Sequence, residues 1–159
     1  MKQIKLLLFW LALAAATWAA DPFIYTAGGT ATATSLKLTM QLPSTATAKA
    51  RPLGVFISCP AAACDVVFTR GGTAATSTAV TRFVLGTTYP PTPGTSQLLV
   101  FSASNSTGGT ALPTISLPAG WANTLDASNI RLAFGDVLSV TVTGASSQVI
   151  QIVPQWEEY

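Results

Sequence analysis

Cys59, Cys64, Asp126 and Asp136 are the residues whose types and spacing come closest to chemistry in this 159-residue chain. The cysteines stand in Cys59-Pro60-Ala61-Ala62-Ala63-Cys64. There is no histidine. A Ser-His-Asp or Cys-His nucleophile is therefore impossible, and imidazole metal ligation is gone with it. A Cys-x4-Cys pair without histidine cannot complete an ordinary zinc tetrahedron. Oxidised cysteines also remove the thiolate of a blue copper site. The remaining reading is a structural disulfide between Cys59 and Cys64, and the apolar runs Val55-Phe56-Ile57 and Val66-Val67-Phe68 predict that it clips a hairpin across its loop.

Asp126 and Asp136 could in principle serve as a glycosidase acid and base, or join Ser128 and Asn129 around calcium. Both stand in turn-like contexts, Asp126-Ala127-Ser128-Asn129 and Gly135-Asp136, where Asp is ordinarily a turn former. Gly28-Gly29, Gly71-Gly72 and Gly108-Gly109 are isolated turn pairs, with no phosphate-binding loop among them. The expectation is no catalytic residue, no metal and no cofactor.

Aromatic side chains near loops are the next candidates. Trp121 lies in Pro118-Ala119-Gly120-Trp121-Ala122-Asn123, and Tyr89 in the rigid loop Tyr89-Pro90-Pro91-Thr92-Pro93-Gly94. Each could stack on a sugar or anchor a partner; Trp121 could equally plug an end of the fold. Phe23-Ile24-Tyr25-Thr26 is apolar and is set off by Gly28-Gly29. Phe23 and Tyr25 are thus candidate contacts in a segment that either joins the chain's own sheet or pairs with a neighbour's edge. Asn105-Ser106-Thr107 matches a glycosylation acceptor.

The chain begins as a secretory leader. Met1-Lys2-Gln3-Ile4-Lys5 is a short positive region, Leu6 to Ala16 is apolar, and Thr17-Trp18-Ala19-Ala20 offers small residues before Asp21-Pro22. The apolar run is too short for a spanning helix of roughly 20 residues. Cleavage after Ala19 leaves residues 20–159 as one domain, secreted to the extracellular space, cell surface or periplasm. In that part Lys37, Lys49, Arg51, Arg70, Arg82 and Arg131 balance Asp21, Asp65, Asp126, Asp136, Glu157 and Glu158. The formal charge of +2 belongs to Lys2 and Lys5. A neutral chain has no electrostatic footprint for nucleic acid or anionic lipid, and its Thr- and Ser-rich surface is little protected against association.

The elements that must position these residues are strands. Leu36, Leu38, Met40 and Leu42 alternate with polar residues, and Thr30, Thr32 and Thr34 extend the same face backwards. Strands are predicted at 53–59, 64–70 and 79–85. Leu98 to Phe101 reads as a central strand covered on both faces, and 112–117, bounded by Pro113 and Pro118, as an edge. Ile130, Leu132 and Phe134 alternate, as do Leu138, Val140 and Val142. Gly144-Ala145-Ser146-Ser147 predicts a hairpin into Gln148–Val153. About eight short strands with turns between them predict an all-β, single antiparallel β-sandwich, jelly-roll-like, because cysteines this close together cannot join the two sheets of an immunoglobulin-type core. The turn and strand Phe134–Val140 resembles the opening of a late jelly-roll strand.

A secreted, non-enzymatic structural, surface-associated or adhesion-type protein follows, acting through protein contacts or self-association. A carbohydrate-binding module using loop aromatics is the alternative, and a small hydrolase is a remote third.

Overall fold

A computed structural model describes residues 23–74, 78–85, 96–102 and 107–159, the side chains of Phe23 and Thr78 excepted. The leader, Tyr89 and Asn105 lie outside the described residues. No helix among those described is long and apolar enough to cross a membrane.

The fold is all-β and antiparallel, as the alternating pattern predicts. Its strands are β1 (Phe23–Thr26), β2 (Gly29–Gln41), β3 (Ala50–Cys59), β4 (Cys64–Arg70), β5 (Thr78–Ala79), β6 (Phe83–Leu85), β7 (Leu99–Ser102), β8 (Thr110–Ala111), β9 (Ile115–Leu117), β10 (Trp121–Asp126) and β11 (Val137–Glu158). All belong to one curled sheet.

Its spine is β11, 22 residues long. One edge of β11 carries β2 and then β1; the other carries β4 and then β3. The outer side of β4 takes β8 and β9, and the outer side of β3 takes β10. Four long lines of chain therefore run side by side: 110–126, 50–70, 137–158 and 23–41. Beyond them β7 and β5 extend the β2 side, while β6 extends β1.

Leu138, Val140, Val142, Ile150, Ile152 and Trp156 are buried in one core on β11. Successive side chains of a strand point to opposite faces, so these even-numbered residues share a face. With no helix to cover it among the described residues, a single sheet buries one long apolar face by curling over it, and the curled sheet is consistent with a β-sandwich-like fold. Leu36, Leu38, Met40 and Leu42 join that core as expected. Leu98, Val100 and Phe101 are all buried at β7, which lies between β2 and β5.

Four expectations about local structure change. The hairpin at 144–147 does not form; β11 runs through it as one strand with a shift of register between Thr143 and Gln148. Its partner β2 spends only Thr34 on the same gap, so the inward face of β2 switches from even to odd residues. Thr30, Thr32 and Thr34 are consequently exposed rather than continuous with Leu36. The span 79–85 splits into two fragments with different partners. The alternation at 130–134 yields a single bridge, Leu132 to Ala50.

The break between β1 and β2 falls opposite Val153 and Pro154, which have no partner in either strand. Pro154 has no N–H to place in a ladder. Its carbonyl instead accepts from Thr26 Oγ1 at 3.1 Å and Ala27 N at 3.4 Å.

Candidate functional site

The cysteines mark the middle of the long lines. β3 and β4 do not pair with each other, so the expected hairpin is corrected. Both lie on the same edge of β11, with Ser58 opposite Gln151 and Cys64 opposite Gly144. The Cys59–Cys64 disulfide, with sulfurs 2.01 Å apart, therefore closes an excursion of residues 60–63 between two collinear strands.

Gln148 fills that excursion from β11. Its Oε1 accepts from Ala61 N and Ala62 N, each at 2.9 Å, and its Nε2 donates to Ala62 O at 3.0 Å. The side chain is buried, and these bonds give its amide partners on both ends. Ala145 N adds a bond to Ala63 O at 3.0 Å. Gly144 leaves room beside it: a Cβ there would stand 2.6 Å from Gln148 Nε2 and 3.0 Å from Ser146 O. A cleft of about 450 Å³ opens at this level, lined by Ala63, Asp65, Ser116, Thr143 and Ala145 among others. Ser116 Oγ donates to Asp65 Oδ1 across it at 2.6 Å.

The outermost line, 110–126, skirts the same excursion. Leu117 pairs with Cys64 and Trp121 with Cys59, and the turn 118–120 joins them. Gly120 takes a φ of 80° there and donates its N–H to Cys59 O at 3.0 Å. Beyond this line no further strand pairs among the described residues. Leu112 and Ile115 are exposed along it, at 41% and 38%.

Trp121 sits on this edge, half-buried and packed against the core. Its Nε1 is buried without a hydrogen-bond partner. This places its indole closer to a plug than to a free stacking platform. Its neighbour Asn123 is exposed, and Asn123 Oδ1 accepts from Thr124 N at 2.8 Å. Thr124 in turn leans over Gly54, where a Cβ would lie 2.6 Å from Thr124 Cγ2.

The carboxylates serve their turns. Asp126 Oδ1 accepts from Ser128 N at 2.8 Å, and hydrogen bonding to the Ser128 backbone and then its side chain holds the carboxyl below its ordinary range. Asp136 Oδ2 accepts from Ala133 N at 2.9 Å and pairs with Arg70 at 3.2 Å. Among the described residues no group of three or more His, Cys, Asp or Glu could hold a metal.

Tyr25 is not a surface contact. β1 lies between β11 and β6, and Tyr25 is buried in the core, stacked on Trp156 with ring centroids 5.9 Å apart. The segment 23–26 is thus an interior strand of the chain's own sheet, and the reading of it as a free pairing arm is corrected. Burial, then the Glu158 charge, raises the Tyr25 phenol above its ordinary value, while Arg82 acts in the opposite direction. Glu158 is a clamp that no sequence pattern announced. Its carboxylate accepts from Ser96 Oγ, from Leu98 N at 2.9 Å and from Gln97 N at 3.1 Å, while Arg82 holds the carbonyls of Ser96 and Leu98. The only advance signal was a pair of acidic residues following Trp156 at a strand end.

No family model, no curated protein and no solved structure matches this chain.

Proposed function

We propose that this chain is an exported, non-enzymatic β-protein that works by contact, as a structural, surface-associated or adhesion-type subunit. The observation that carries the reading is the outer line 110–126. Among the described residues it is an open sheet edge with exposed Leu112 and Ile115, and Asp126 is its one charged residue. Open edges and exposed apolar side chains are where protein partners add. The disulfide fits an oxidising compartment, and the neutral mature sequence fits close packing against neighbours.

The test is fractionation of the producing cells with intact mass of the product. The expected product starts at Ala20 or Asp21, lies outside the cytoplasm and stays with the surface fraction until stripped. A freely diffusing product, or one retaining Trp10 and Trp18, overturns the reading. A glycan panel run on the same material separates the alternative: sugar-specific binding lost in Trp121→Ala makes it a carbohydrate-binding module.

A further inference from the structure

We infer that β10 is a self-pairing edge, whose occupant is β10 of a second copy in antiparallel register about a two-fold axis at Thr124. The inference deepens the contact reading above, on which it rests, by naming the strand and its partner.

Hydrogen bonding across an antiparallel ladder alternates, so half the amides of an outer strand face outward. Ala127 N donates to Leu53 O at 3.3 Å, which fixes the phase of the β3–β10 ladder. Asn123 and Leu125 then bond inward to β3, while Ala122, Thr124 and Asp126 present N–H and C=O to the open side. The Thr124 N–H agrees with this phase, since it donates to the Asn123 side chain at 2.8 Å.

The six residues Trp121–Asp126 contain no proline, lysine or bulge, the usual devices that blunt an edge. Immediately upstream, Pro113 and Pro118 interrupt the same line, so the open window is β10. Pairing about Thr124 sets Thr124 against its own copy and Ala122 against Asp126 of the second copy. No like charges face each other, and the mature sequence is neutral. On the core side the half-buried Trp121 and Leu125 gain a covering strand. One contact opposes pairing: Asn123 Oδ1 competes for the Thr124 N–H that the second copy needs.

Sedimentation of the mature protein up to about 1 mM tests this, since a short edge pair is weak. The expected result is a reversible dimer. Thr124→Lys, which sets two ammonium groups opposite each other, should weaken it at least about tenfold without moving the melting temperature. Should that variant fail to fold, Thr124→Pro is the substitute, because the N–H it removes points away from β3. Asn123→Ala removes the competitor and should tighten the dimer roughly five- to tenfold. Val149→Lys, an exposed position on β11 away from this edge, should leave it unchanged. A protein that stays monomeric throughout overturns the inference, as does a dimer insensitive to Thr124→Lys or one that Asn123→Ala does not tighten. A monomer that is still retained at the cell surface overturns the edge pairing alone and leaves the contact reading standing.

Discussion

The side-chain amide of Gln148 holds the backbone of Ala62 on both sides of its Cα, its Oε1 accepting the Ala62 N–H at 2.9 Å and its Nε2 donating to the Ala62 carbonyl at 3.0 Å. The same Oε1 also takes the Ala61 N–H. In a loop of residues 60–63 that leaves the sheet, these bonds give the Ala61 and Ala62 N–H groups and the Ala62 carbonyl partners that no ladder supplies. The cost of removing the amide is set by the donors it leaves behind, about 1–3 kcal/mol for an unsatisfied buried group. Gln148→Ala should therefore destabilise the protein by about that amount in urea, with faster hydrogen exchange at Ala61 and Ala62. Gln148→Glu keeps the acceptor but loses the donor to Ala62 O, so those two amides should stay protected while stability still falls.

The disulfide should matter less than its position suggests. It closes a very short loop, for which the chain-entropy model gives about 2 kcal/mol. β3 and β4 are each held by their own ladder to β11, so neither depends on the other through the sulfurs. Peptide mapping should link Cys59 to Cys64 within one chain. Cys59→Ser/Cys64→Ser should remain folded, with a melting temperature lower by roughly 5–10 °C. Unfolding at room temperature would show that the excursion needs the bridge to form.

Gly54 is a packing residue, required by space and not by its backbone angle. A Cβ there meets Thr124 Cγ2 at 2.6 Å and Leu125 O at 3.3 Å. Overpacking of this kind costs about 1–3 kcal/mol. Gly54→Ala should lose that much in denaturant titration and expose the amides of β10 to exchange. Thr124→Ser, which lacks Cγ2, should restore part of the loss in the double variant. Additive effects would show that the two residues do not meet.

The reach of the sequence differs from one element to the next. Leu36 to Leu42 read correctly because a strand with one buried face must alternate. The same pattern misleads at Thr30, Thr32 and Thr34, since one unpaired residue at Thr34 inverts the face without disturbing the period. Gly144 to Ser147 carries turn residues, yet these serve a bulge that makes room for Gln148; composition cannot tell the two apart. The cysteines reveal their bond but not whether it joins hairpin arms or collinear strands. Asp126 and Asp136 were legible as turn residues because their bonds are local. Glu158, Ser96 and Arg82 meet only through the tertiary fold, and no local pattern carries them.

Tyr25 makes the stability depend on alkaline pH. Its folded-state phenol titrates above the ordinary value, first because of burial and then because of the Glu158 carboxylate nearby. The unfolded chain releases the same proton near pH 10. Above that pH the unfolded state binds fewer protons than the folded one, so stability falls as pH rises. The contribution is whole below about pH 10 and is lost through the folded-state value. Urea midpoints measured from pH 8 upward should therefore hold level and then decline. Tyr25→Phe keeps the ring against Trp156 but has no proton to lose, so its midpoint should decline less over the same range. An equal decline in both proteins would assign the alkaline loss to other groups and remove Tyr25 from the account.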